Sequence, residues 1–115
     1  MKNKLEIYLL DEAADFLRSL PPLVQRRFLS AFDRTTAGFV GNWFLKLTNM
    51  ADLWEFRVDG PRNTYRLFAF WHTPDEETTT LIIATHGLDK KTQKTPPSAI
   101  ERAERLKARY LSENS

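Results

Sequence analysis

Six side chains could give this sequence its chemistry. His86, Lys90, Lys91 and Lys94 fall within nine residues, and Arg57 and Arg66 stand in two apolar stretches upstream. Arginine offers a planar, permanently charged fork that matches phosphate oxygens, and lysine adds a mobile point charge. A histidine beside such cations titrates near neutrality and can act as acid or base in RNA cleavage. The set therefore points to a polyanion that these basic groups would hold. Each residue also has a plainer role. His86 can be a hydrogen-bonded histidine at a strand end, and Arg57 can pair with an acidic neighbour. Arg66, flanked by Tyr65, Leu67, Phe68 and Phe70, needs a reason to be there, and a core carboxylate would supply one.

Other chemistries find little support. Two histidines (His72 and His86), no cysteine and no HxxxH spacing argue against a zinc site, so no metal and no cofactor is expected. The four glycines are scattered singly and form no phosphate-binding loop, and no G-x-S-x-G elbow is present. Trp43, Trp54 and Trp71 could stack on bases, although tryptophan belongs more often to cores and interfaces.

The elements that must position these groups follow from pattern. Leu5 to Leu10 reads as a short strand, and Asp11 as the N-cap of a helix with Ala13, Phe16, Leu17 and Leu20 on one face. Pro21 and Pro22 separate it from a second helix whose stripe is Val24, Phe28, Ala31 and Phe32, capped by Gly38. Phe39 to Ala51 is too apolar for a loose loop and should fold onto the core as an ordered connection. LWEFRV (Leu53 to Val58) alternates as a half-buried strand, TYRLFAFWH (Thr64 to His72) is apolar on both faces, and TTLIIATHG (Thr79 to Gly87) is a third strand. Short connections make these three an antiparallel meander. The parity of Arg57 with Leu53, and of Arg66 with Phe68 and Phe70, leaves open whether both arginines share a face. Ser98 and Glu101 suggest a capping box for a last helix, with Ala99, Ile100, Ala103, Leu106 and Tyr110 inward. The order is strand, helix, helix, three strands, helix. This is an α+β fold, a small and mostly antiparallel sheet with an N-terminal helical hairpin on one face.

With 115 residues, 42% of them hydrophobic and 28% charged, one globular domain over 1–115 is expected, its last residues 112–115 frayed. No apolar run is long enough for a bilayer, and Asp11 and Glu12 interrupt the N-terminal run that might resemble a signal peptide. A cytoplasmic protein is expected. Net charge is only +2, but His86 to Tyr110 carries seven Lys or Arg against three Asp or Glu, so the basic charge is concentrated at one end.

Taken in order, Trp54-Glu55-x-Arg57-Val58, Tyr65-Arg66, then His86-Gly87 running into Lys90-Lys91-Thr92-x-Lys94-Thr95-Pro96 and Ile100-x-x-Ala103, these residues carry a likeness. The chain resembles the RelE/ParE toxin superfamily, and more narrowly the HigB-like, phage-derived branch of type II toxin–antitoxin systems. The likeness is strong over roughly residues 45 to 110 and rests on topology before that. It implies a RelE-like fold and a ribosome-dependent mRNA endonuclease that works without metal, neutralised by a small helix-turn-helix antitoxin. Partners would be that antitoxin and the ribosome with bound mRNA, with operator DNA reached only through the antitoxin. By position, Arg57 and Arg66 would neutralise the phosphate and transition-state charge, Lys91 with Lys90 and Lys94 would bind phosphate or stabilise the leaving oxygen, and His86 would be the acid or base. Two features depart from the pattern. Glu55 is acidic where such nucleases often carry a basic group, and Tyr110 lies too far along to serve as the catalytic tyrosine some members use. The superfamily also includes gyrase inhibitors that cleave nothing, so a ParE-like inhibitor, or an accessory protein that keeps only antitoxin binding, stands as the alternative.

Overall fold

The computed structural model describes residues 4–48, 52–74, 79–90 and 95–114, with only the backbone of Lys4, Thr79 and Lys90. Its elements are β1 (Lys4–Leu9), α1 (Asp11–Arg18), α2 (Pro22–Thr36), β2 (Phe44–Lys46), β3 (Trp54–Asp59), β4 (Thr64–His72), β5 (Thr79–Lys90) and α3 (Pro97–Glu113). The strands form one sheet in the order β1-β5-β4-β3-β2, antiparallel except where β1 runs parallel to β5. The α+β architecture and the β3-β4-β5 meander are those the sequence pattern implies.

The sheet has an apolar layer on each face. On one, Val24, Phe28 and Ala31 of α2 and Ala13 of α1 meet Phe56, Val58, Leu67, Ala69, Ile82 and Ala84. On the other, Ala99, Ala103 and Leu106 of α3 meet Leu53, Phe68, Phe70 and Ile83. Alternation along a strand sends successive side chains to opposite layers, and β4, buried on both faces from Tyr65 to Phe70, lies between β3 and β5. Fully burying a side chain such as Phe28 or Phe70 contributes about 2–3 kcal/mol, so the two layers hold the sheet from both sides.

Several local expectations change. Asp11 is the first residue of α1, and Leu10 precedes it as N-cap with no side-chain bond. Gly38 does end α2: at φ +94° it sits where a β-carbon is disfavoured, while its N–H and that of Phe39 bond the Thr35 and Arg34 carbonyls, each at 3.0 Å. The stretch after it contains a fifth strand, β2, too short for alternation to reveal. Trp43 and Phe44 pack on the first layer, while Phe39 and Val40 are exposed. The Ser98–Glu101 box is absent, because α3 starts two residues earlier, at Pro97, with Pro96 as its uncapped N-cap. At its other end α3 continues through Ser112 to Glu113, and the Asn114 amide closes it on the Tyr110 carbonyl at 2.8 Å.

β5 departs most from its sequence reading. It does not stop at Gly87 but runs to Lys90, and the register against β4 shifts by one residue between Leu67/Gly87 and Ala69/Ala84. Thr85 and His86 thus lie opposite the single residue Phe68, a β-bulge that re-aims the strand. Gly87 therefore lies inside the strand. A β-carbon there would come within 2.0 Å of the Phe16 ring, so the glycine lets α1 sit directly on β5.

Candidate functional site

The register answers the question that parity left open. Arg57 pairs directly across from Arg66, so the two side chains share a face, that of Leu53, Glu55 and Phe68. Like charges directly opposite each other repel, and Glu55 supplies the remedy. Two residues before Arg57 on the same face, its Oε1 accepts from Nη2 of Arg57 at 2.9 Å and from Nη1 of Arg66 at 2.8 Å; Oε2 takes a further bond from Arg66 at 3.1 Å. Glu55 and Arg66 are 1% and 3% exposed, so this is an ion pair within the fold, whereas about a third of the Arg57 side chain meets solvent. The core carboxylate that Arg66 calls for is therefore Glu55. A buried charge of either sign would be strongly disfavoured alone, which makes each partner a condition for the other.

Arg66 also donates from Nη1 to the Thr95 hydroxyl at 3.3 Å. Lys90 lies opposite Thr64 in the β4–β5 ladder. The basic segment between them thus begins and ends beside the arginine pair. Lys91 and Lys94 themselves lie outside the described residues, as does most of the acidic loop after Pro74, and the Lys90 side chain is likewise not described.

His86 stands elsewhere. It is 4% exposed, its ring lies against Phe68 at 5.0 Å between centroids, and its Nδ1 is 3.4 Å from the Thr85 hydroxyl. Burial, reinforced by Arg102 and Arg105 and opposed by Glu12, pushes its pKa down from 6.5 to about 4. The ring is neutral at physiological pH, and the apolar layer under α3 encloses it. The geometry brings Arg57, Glu55, Arg66 and Thr95 together and leaves His86 behind Phe68. Sequence reasoning named both arginines but missed Glu55 as their bridge; the i, i+2 spacing of Glu55 and Arg57 was the available signal.

The tryptophans are mostly structural. Phe44 stacks on Trp54 at 5.0 Å, Trp71 meets Trp54 edge-on at 5.6 Å, and Trp43 donates its indole N–H to the Thr35 hydroxyl at 3.0 Å. Tyr110 lies at the far end of α3 among Tyr8, Phe70 and His72. Among the described residues no three His, Asp or Glu side chains converge as metal ligands, and no helix is long and apolar enough to cross a membrane.

A five-stranded, mostly antiparallel sheet with a helical hairpin on one face and a C-terminal helix on the other matches the RelE fold. The free-state structure of an E. coli toxin RelE double mutant superposes with a TM-score of 0.58, covering 92% of this chain and 97% of that one at 16% identity. RelE in the archaeal RelE–RelB complex from Pyrococcus horikoshii OT3 is 22% identical, with a TM-score of 0.48, covering 82% of this chain and 100% of that one. No curated protein matches the sequence. Residues 15–108 match the family described as "Phage derived protein Gp49-like (DUF891)", and the chain belongs to that family. The phage-derived, RelE-like membership that the strand and turn motifs suggest is the one found.

Proposed function

We propose that this protein is the toxin of a type II toxin–antitoxin system of the HigB-like branch, and that it arrests translation by cutting mRNA on the ribosome. The observation that carries the reading is the placement of Arg57 and Arg66 on one sheet face, bridged by Glu55, with the basic segment anchored beside them through Thr95. In the proposed reaction the 2′-hydroxyl of the message attacks the adjacent phosphorus and the 5′-oxygen leaves, giving a 2′,3′-cyclic phosphate and a 5′-hydroxyl end. The attacking oxygen loses a proton and the leaving oxygen gains one, so no metal or cofactor is needed. Arg57, partly open to solvent, touches the phosphate and stabilises the charge that builds on it. Lys91, flanked by Lys90 and Lys94, stabilises the leaving oxygen. Arg66, covered and held by Glu55, positions Arg57 and the segment ending at Thr95. His86 supports β5 and Phe68 from within and exchanges no proton with the message. The partner is the small helix-turn-helix antitoxin implied by the C-terminal motif, and the place of action is the cytoplasm.

Controlled expression with and without the neighbouring reading frame, followed by mapping of message ends on ribosomes, tests this. Growth arrest with cuts in translated messages, relieved by the neighbour and lost in Arg57→Ala, is expected. Arrest with intact messages and blocked supercoiling would instead support a gyrase inhibitor. One observation favours that second reading: Glu55 cancels one of the two arginine charges, leaving the triad less cationic than a phosphate clamp needs.

A further inference from the structure

A second basic concavity opens on the hairpin side, where β2 meets β3 under α2. It is a cleft of about 800 Å³ whose polar lining includes Arg27, Arg34, Asn42, Trp43, Arg57 and Asp59. Arg27, Ala31 and Arg34 stand at i, i+4 and i+7 on α2, one helical face, and the small Ala31 leaves the gap between the two arginines. The Arg34 guanidinium lies 4.7 Å over the Trp43 ring. That ring is itself fixed, by its indole bond to Thr35 and by Gly41, where a β-carbon would come within 2.0 Å of it. Arg27 donates to the Asp59 carbonyl, which ties it to the end of β3. Arg57 closes the cleft, and its Nε is buried with no hydrogen-bond partner among the described residues. Arg27 and Arg34 share the cleft with one carboxylate, Asp59, which already accepts from the Thr64 hydroxyl at 3.2 Å, while the Arg57 guanidinium is bonded to Glu55. The lining thus carries an excess of positive charge in preset positions, and neither Arg27 nor Arg34 is needed for the apolar layer beneath.

We infer that this cleft is a second phosphate-binding site, which holds a phosphodiester of the RNA strand flanking the one at the arginine pair. The inference rests on the RNA reading proposed above. Arg57 belongs to both places: its guanidinium bonds Glu55 on the α3 side, and the same residue lines the cleft. A strand passing over the free part of the β3 edge would therefore meet Arg57 and then the α2 arginines. A phosphate at each nucleotide suits such a line of rigid forks. The cleft offers no free aromatic face, because Arg34 covers the Trp43 ring, so contact would be to the backbone and indifferent to sequence.

The test uses the purified full chain and a fluorescent 2′-O-methyl oligoribonucleotide, which binds but cannot be cut, titrated over a salt series. Arg27→Ala/Arg34→Ala should weaken binding at least ~10-fold and flatten the slope of log K against log salt by roughly 0.7 for the phosphate released. Arg18→Ala, an exposed arginine on α1, serves as control and should change neither. In the wild type the oligonucleotide should shift the Trp43 indole N–H resonance, assigned with Trp43→Phe. Binding that is unaltered in the double variant, with no shift at Trp43, would overturn the inference and leave the RNA reading standing. Failure of the wild type to bind the free oligonucleotide at all would also overturn the inference, whereas uncut messages on ribosomes would overturn the RNA reading itself. A Trp43 shift with an acidic peptide and none with RNA would reassign the cleft to a protein partner and overturn the inference as well.

Discussion

Lowering the pH should destabilise this protein through His86, and a substitution that cannot titrate should remove that sensitivity. The neutral ring is the form the fold accommodates, with a folded pKa of about 4 against 6.5 for an exposed histidine. Between those values the unfolded chain binds more protons than the folded one, so stability falls as pH drops below about 6.5 and levels off below 4. The loss from this residue is roughly 2 kcal/mol at pH 5 and approaches about 3 kcal/mol below pH 4, taking 1.36 kcal/mol per pKa unit. That is a large share of the stability of a small domain. Urea unfolding at pH 8, 7, 6 and 5 of the wild type and of His86→Gln would measure it. Whatever the substitution does at pH 8, the gap between the two proteins should move in favour of the variant by roughly 2 kcal/mol at pH 5. The same reasoning predicts that message cleavage between pH 6 and 8 shows no step that disappears in His86→Gln. Parallel pH dependences, or a histidine proton resonance titrating near its ordinary value, would refute the burial argument. His86 would then return as a candidate acid or base.

Three further outcomes follow from the packing. Glu55→Ala should cost about 3–5 kcal/mol by removing the carboxylate that pairs with the Arg66 charge inside the fold; Glu55→Leu/Arg66→Leu should cost much less, and equal losses by denaturant titration would count against the pair. Gly87→Ala should destabilise by about 1–3 kcal/mol because the new methyl meets the Phe16 ring, with partial recovery in Gly87→Ala/Phe16→Leu; a neutral Gly87→Ala would contradict the close approach of α1 to β5. Thr35→Val should cost about 1 kcal/mol by removing the acceptor of the half-buried Trp43 indole N–H, and the change should be visible as a shifted tryptophan emission.

What the sequence disclosed is what depends on period and on local backbone chemistry. The alternation of Trp54 to Val58 and the two-sided apolar run of β4 placed both strands correctly, and Gly38 marked the end of α2, because each signal is a short-range one. What it concealed depends on partners distant in sequence. A three-residue strand such as β2 has no periodicity of its own and exists because Phe44 to Lys46 can pair with Trp54 to Phe56. The bulge at Thr85 and His86 arises from the register between strands, which neither strand's pattern contains. It turned a histidine expected at a strand end into one packed behind Phe68. Likewise, a glycine before lysines reads as a turn, and only the position of Phe16 shows why Gly87 is glycine.

Glu55, an odd residue against the family pattern, becomes intelligible through the same register. With Arg57 and Arg66 opposed across one pair of strands, a third cation on that face would add repulsion in a place water does not reach. A carboxylate at position 55 bonds one nitrogen of each guanidinium group and takes Arg66 out of play as a ligand for anything else of its size. The consequence is a division of roles between two arginines that look equivalent in sequence. Arg66 is fixed, and Arg57 is held at one nitrogen with its remaining surface open. On the RNA reading proposed above, charge for an incoming phosphate would then come from Arg57 together with groups outside the sheet face. Thr95, bonded to Arg66, lies on one side of Arg57 and the α2 arginines on the other. A protein whose buried pair neutralises its own centre has to gather its anion from the flanks.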